Sequence, residues 1–238
     1  MSAVRSFIRK MIPRGLELPV AFVRSFLSGT VEPELWLVKK WANSSAIAVD
    51  IGANRGVYSL WLSKWFQRVF AFEPNPRMAA ILTSFKSPKI EVQKVALSSS
   101  CGEAELHVPV NDSGVEYAGW GSLIQENLPP SHAVHHLPAS MRTLDSYNLE
   151  NVAFIKIDVE GNELETVSGA MQTIQQWRPI LLIEIRPASR PAFDDLFRRL
   201  RYQAFVVATN GQLVRVAKPL EQILAPSENV FAVPNERC

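Results

Sequence analysis

Only two cysteines occur in the 238 residues, Cys101 and Cys238, and they form no CxxC pair. That count excludes a disulfide framework and a thiolate metal site, and it fits incidental thiols in a reducing compartment. Histidine is also scarce, at four residues, so zinc is not expected. Neither sign of charge dominates. The 25 Lys and Arg against 23 Asp and Glu leave +2, which is no electrostatic footprint for nucleic acid. There is no internal repeat and no low-complexity stretch. No apolar run approaches the ~20 residues needed to span a bilayer. The uncharged run Leu18–Val23 is broken by Pro19 and also fails as a signal-peptide core. A cytoplasmic chain with one sizeable domain is therefore expected, and its 47% hydrophobic content is ordinary for that class.

What charge asymmetry exists sits at the N-terminus. Residues 1–29 hold Arg5, Arg9, Lys10, Arg14 and Arg24 against Glu17, a local +4. The expected organisation is a helical appendage over residues 1–44, followed by the main domain over 45–238. A basic segment of this kind also suits peripheral contact with an anionic membrane surface.

From residue 46 the chain alternates short apolar runs with segments of helical spacing. Ala46–Ile51, Val69–Glu73, Ile90–Leu97, Val152–Asp158 and Ile180–Ile185 read as strands buried on both faces. Between them Met78, Ile81, Leu82 and Phe85 mark one helix. Leu164, Val167, Met171 and Ile174 mark another, and Phe193, Leu196, Phe197 and Leu200 a third. Ala204–Ala208 and Leu213–Ala217 flank Asn210-Gly211, a hairpin signal, and Val230–Val233 is a last strand. The pattern predicts an α/β fold of Rossmann-like type, with a mostly parallel sheet and an antiparallel edge. Residues 98–145 break the rhythm, with a strand-like Ala104–Val110 followed by Gly, Pro and His residues, and read as an insertion that shapes a substrate site.

Ligands of such sheets sit beyond the carboxyl ends of the strands. The first strand runs into Asp50-Ile51-Gly52-Ala53-Asn54-Arg55-Gly56. Gly52 permits a tight turn with close backbone approach, and Gly56 permits close helix–strand packing. Asn54 stands where a dinucleotide fingerprint GxGxxG has its middle glycine. Asp50 would repel a pyrophosphate, whereas the ammonium and sulfonium of S-adenosylmethionine (SAM) are cations that a carboxylate attracts. Glu73, 17 residues after Gly56, ends the second strand where a carboxylate can accept both ribose hydroxyls.

VDIGANRG, FEPNP, VALSSSCGEAEL, TLDSYNLENVAFIKIDVEGNELETVSGA and RPILLIEI resemble, in that order, the FkbM-type methyltransferases. The resemblance covers residues 45–235. It implies a class I methyltransferase sheet, SAM as the methyl donor, and O-methylation, commonly of sugar hydroxyls in glycans or of natural products. It places Asp50, Gly52, Asn54, Gly56 and Glu73 along the cofactor, with Ala96, Leu97 and Ser98 flanking its adenine. Gly119-Trp120-Gly121-Ser122-Leu123 departs from the family pattern through Trp120, which either stacks on an acceptor ring or packs in a loop.

Methyl transfer is mainly a positioning task, and a neutral alcohol gains from a general base. Asp158, Glu160 and Glu184 lie at the fourth and fifth strand ends and are the candidates. His132, His135 and His136 in the inserted loop are the alternative bases. No metal is assigned, although three carboxylates on one rim also suit a divalent cation. A small-molecule or glycan acceptor is expected. The other readings left open are methylation of a non-sugar natural product, a non-catalytic SAM-binding module, and a nicotinamide-dependent oxidoreductase.

Overall fold

A computed structural model describes residues 32–111, 115–117, 120–128, 133–222 and 228–238. The basic stretch 1–29 and His132 lie outside them. Eight strands form the main sheet: β1 (Asn43–Ile51), β2 (Phe66–Phe72), β3 (Ile90–Gln93), β7 (Val152–Ile157), β8 (Ile180–Glu184), β9 (Tyr202–Val207), β10 (Leu213–Arg215) and β11 (Asn229–Pro234). Their spatial order is β10-β9-β11-β8-β7-β1-β2-β3. The run from β8 to β3 is parallel, and β11 enters antiparallel between β8 and β9. This is the expected mostly parallel sheet with an antiparallel flank.

Helices cover both faces. α1 (Pro33–Leu37) and α2 (Val57–Leu62) lie on one, and α4 (Glu163–Ser168), α5 (Met171–Trp177) and α6 (Arg190–Leu200) on the other. Strand alternation divides the core accordingly. Ala48, Phe154 and Leu182 pack with Leu62, Leu35 and Val38. Val49, Ile155 and Ile183 pack with Val167, Ile174 and Phe193. α3 (Pro76–Ser84) follows β2, with Pro76 in its first turn and the Asn75 side chain accepting from the Arg77 and Met78 amides. No helix among the described residues is long and apolar enough to cross a membrane.

Three local readings change. The run read as one strand over Ile90–Leu97 divides. β3 stays in the main sheet, while β4 (Ala96–Leu97) joins a second sheet. The helix read through Leu164–Ile174 is interrupted at Gly169-Ala170. A Cβ on Gly169 would lie 2.0 Å from the Ser98 carbonyl oxygen, so helix and strand end meet there backbone to backbone.

The region 98–145 holds two long strands, the strand-like run Ala104–Val110 and a second one that was not expected. β5 (Gly102–Val110) and β6 (Ala133–Arg142) form an antiparallel pair, and the second sheet has the order β4-β6-β5. His135 and His136 therefore lie on a strand. Pro138 lies within this strand and cannot donate to a ladder. It is accommodated because β4 pairs with β6 only at Met141 and Arg142, so Pro138 needs no partner on that side.

Leu35 is fully buried against the sheet, although it precedes β1. Leu35→Ala is expected to cost about 2–5 kcal/mol, the range for a buried leucine truncated to alanine. Urea denaturation measures this. A cost below ~0.5 kcal/mol, the level of surface substitutions, would show that α1 lies outside the folding core.

Candidate functional site

The site is built where the carboxyl ends of β1, β2 and β7 converge. The Asp158 amide donates to the Ile51 carbonyl, which holds the turn after β7 against the turn after β1. Gly52 has φ +74, and a Cβ there would fall 1.7 Å from the Asp158 carbonyl oxygen. The close approach that requires glycine is thus to the neighbouring strand end. Asn54 takes φ +50, and Gly56, at φ +87, opens α2. Gly52 and Ala53 amides both donate to the Phe72 carbonyl, which fastens the turn to β2.

Beside this turn opens a cleft of about 600 Å³, counting its mouth. Gly52, Asn54, Glu73, Ala96, Leu97, Asp158 and Glu160 all line it. Four residues named from the sequence do not. Asp50 lies fully buried, and its carboxylate accepts from the Ser59 hydroxyl. Gly56 is confined to the helix start, Ser98 is packed against Gly169, and Glu184 adjoins the acids of the cleft from β8.

Glu73 is 6% exposed, and each of its oxygens accepts a backbone amide, Oε2 from Asn54 at 2.6 Å and Oε1 from Asn75 at 2.8 Å. Burial pushes its carboxyl up to about 7 against the pull of those two amides. Asn54 and Asn75 thereby fix the carboxylate at the cleft wall, and each oxygen keeps a further lone pair.

The opposite end is acidic. Lys156 is buried on β7, and its ammonium donates to Asp158 Oδ2 at 2.8 Å and to the Gly52 carbonyl at 3.4 Å. Burial opposes ionisation of both partners. The Lys156 ammonium nevertheless holds Asp158 below the usual carboxylate range, and the charges of Asp158 and Asp50 keep Lys156 protonated. Glu184 responds the other way. Burial and then the charges of Asp158 and Glu160 push it up to about 8. Glu160, at φ +56, is raised by burial and by Asp158, while Arg186 at 2.7 Å opposes the rise. Oxygens of Asp158, Glu160 and Glu184 lie within 4.8 Å of one another. Within the rim, Lys156 pairs with Asp158 and Arg186 with Glu160.

The second sheet closes the cleft. Leu106, Gly121 and Leu123 line it from that side. Ser122 Oγ donates to the Glu160 carbonyl at 2.7 Å and Asn127 Nδ2 to the same oxygen at 3.2 Å. A Cβ on Gly161 would strike Asn127, so the bare glycine makes room for this clamp. His135 and His136 do not line the cleft, and their imidazoles face Glu116 and Glu105. The residues missed from the sequence are Lys156, Asn75, Asn162 and the clamp pair. Lys156 had a signal, being a lone cation inside an apolar strand. Asn162, which donates to the Leu97 carbonyl, had none.

The donor set fits SAM. Glu73 provides hydroxyl acceptors at one end, Ile51, Phe72 and Leu97 an apolar middle, and two carboxylates the cationic end. Fold and cleft together define the class of SAM-dependent methyltransferase domains. The profile of the methyltransferase FkbM domain matches residues 50–207, and the chain belongs to that family. It is similar to the 2-O-methyltransferase NoeI of Sinorhizobium fredii, at 29% identity over 151 residues, 56% of this chain and 60% of that protein. It is also similar to the hexuronic acid methyltransferase AglP of Haloferax volcanii, at 27% over 160 residues, 65% of this chain and 62% of that protein. The matches thus span about three fifths of each of these relatives. Among solved structures, the methyltransferase FkbM from Methylobacillus flagellatus shares the fold, with a TM-score of 0.54 at 16% identity over 94% of this chain and 56% of that one.

Lys156→Met keeps the length of the side chain and leaves buried Asp50 and half-buried Asp158 without their cation. It is expected to cost about 3–5 kcal/mol at pH 8, the range for breaking a buried pair. In the variant the folded-state carboxyls lie above their unfolded values, so they bind protons more tightly when folded and the deficit shrinks as pH falls toward 5. Denaturation midpoints at the two pH values measure this, and a deficit independent of pH would contradict it.

Proposed function

We propose that the chain methylates a sugar hydroxyl with SAM as donor. Glu160 serves as proton acceptor, Asp158 as the fixed negative charge beside the cationic end of the cofactor, and Glu73 as ribose acceptor. Gly52, Asn54, Ala96 and Leu97 shape the remaining cofactor wall. Bound SAM supplies a methyl group already activated on a sulfonium.

The observation that carries the reading is the divergence of three neighbouring carboxyls. Asp158 is held ionised by Lys156, which suits attraction of a cation and makes it a weak base. Glu184 is raised to about 8 and is protonated at neutral pH, donating to Asp158. Glu160 alone of the three is both raised, by burial first and then by Asp158, and part of the cleft lining. Neighbouring groups with separated proton affinities have separated roles. Glu160 Oε2 is held by Arg186, so Oε1 takes the proton of the acceptor hydroxyl. The sugar class draws on the activities named for the two relatives. It also draws on Trp120, stacked on Tyr117 at 5.2 Å and next to the cleft-lining Gly121. An aromatic face beside the cleft suits the C–H face of a pyranose.

Glu160→Gln is expected to lower turnover by about 10²–10⁴-fold with SAM affinity retained, the range for loss of a general base. Asp158→Asn is expected instead to weaken SAM binding by about 1.5–3 kcal/mol, as for a lost charged hydrogen bond. Calorimetry with SAM and methyl-transfer assays on a panel of glycans, with and without chelator, separate these effects. Unchanged turnover in Glu160→Gln would remove it as the base, and turnover lost on chelation and restored by Mg²⁺ would replace the proton-acceptor reading with a metal one.

Trp120→Ala is expected to raise the acceptor KM about 2- to 12-fold, matching the ~0.5–1.5 kcal/mol of an aromatic contact, with SAM affinity unchanged. An unaltered KM would show that Trp120 packs only within its loop.

A further inference from the structure

The small sheet carries a side-chain cluster that takes no part in the cleft. Glu105 and His107 stand two residues apart on β5 and so share a face. His136 on β6 is the direct cross-strand partner of His107. Three atoms converge. His107 Nδ1 lies 3.1 Å from His136 Nδ1, His136 Nδ1 lies 2.9 Å from Glu105 Oε2, and His107 Nδ1 lies 3.8 Å from the same oxygen. The circle through these atoms has a radius of about 1.9 Å, while zinc bonds to imidazole nitrogen and carboxylate oxygen run ~2.0–2.2 Å. A cation seated slightly off their plane therefore reaches all three with almost no side-chain movement.

As hydrogen bonds the same contacts are poorly matched. One neutral imidazole carries one N–H, and an N–H on His136 Nδ1 cannot be directed at both Glu105 and His107. A single cation satisfies all three lone pairs at once. We propose that Glu105, His107 and His136 form a binding site for a transition-metal ion of the zinc class, with a fourth position facing solvent. Two imidazoles and one carboxylate favour zinc, copper or nickel over the hard cations that the oxygen-only rim of Asp158, Glu160 and Glu184 would take. Glu105 and His136 are exposed, which gives the ion a path in, and His107 is largely covered, which fixes one ligand.

The site is a cross-link. It ties β5 to β6 at the register His107–His136, next to Leu106, which faces the cleft. His107 exchanges both backbone hydrogen bonds with Ser122, whose hydroxyl holds the Glu160 carbonyl. A metal here stiffens the wall that clamps the acidic turn.

The test uses the full chain without a histidine tag, with Co²⁺ alone as the spectroscopic probe and Zn²⁺ as competitor. The expected result is one equivalent of Co²⁺ with the visible absorption of a low-coordinate site, its displacement by Zn²⁺, and a Zn²⁺-dependent rise in the thermal midpoint. His136→Gln and Glu105→Gln, both at exposed positions, should each weaken uptake by at least about tenfold, the lower bound seen even for residues behind the ligands. SAM affinity, as a check on folding, should stay unchanged in both. If one variant also loses SAM binding, the other decides. Three results would overturn the proposal: no saturable uptake by the wild type, uptake that persists in both variants, or uptake abolished by Glu160→Gln and kept in His136→Gln.

Discussion

A single buried ammonium organises the chemistry of this domain. Lys156 sits in the central sheet, where water cannot solvate it, and its charge is tolerated because Asp158 and Asp50 surround it. The same ammonium reaches the Gly52 carbonyl, so one side chain ties the glycine turn of β1 to the acid at the end of β7. Asp158 stays ionised because of it. Glu184 is pushed toward the neutral form, first by its burial and then by the charges of Asp158 and Glu160. The distribution of protons over the rim follows from burial and from two cations, Lys156 two residues before Asp158 and Arg186 beside Glu160.

The main sheet places one wall of the cleft and the small sheet the other. The chain passes between them within the segment first read as a single strand, leaving β3 at Gln93 and entering β4 at Ala96. Leu97 closes the link, since its carbonyl accepts from Asn162 and Thr166 at the start of α4. The acid turn is thus held from two directions, by the sheet beneath it and by Ser122 and Asn127 across the cleft.

Much of this was legible in the sequence, for physical reasons that differ by residue. Strands buried on both faces are continuous apolar runs, so Ala46–Ile51 and Ile180–Ile185 were located to within a few residues. Glu73 was legible because a carboxylate directly after an apolar strand has few other uses. Asp50 was legible as a site-building residue, but its direction was not. It turned inward, where it accepts from the Ser59 hydroxyl of α2. Of the small sheet, β5 was legible as the strand-like run Ala104–Val110, whereas β6 was hidden because it carries Pro138 and two adjacent histidines and its pairing with β5 is set by tertiary register. His107 went unremarked for the same reason. Its significance depends on which residue stands opposite, and no spacing along the chain encodes that.

The clamp on the Glu160 carbonyl bears on how such a domain can be re-engineered. The acceptor-facing segment looks like a detachable module, since it leaves the main sheet at β4 and returns before β7. It is not fully detachable, because Ser122 and Asn127 both terminate on one backbone oxygen of the scaffold, and Gly161 is bare to admit them. A chimera that exchanges this segment must carry two donors at the equivalent places, or the scaffold's acid turn loses its outer support. The second sheet and the geometry of the acidic rim are therefore inherited together.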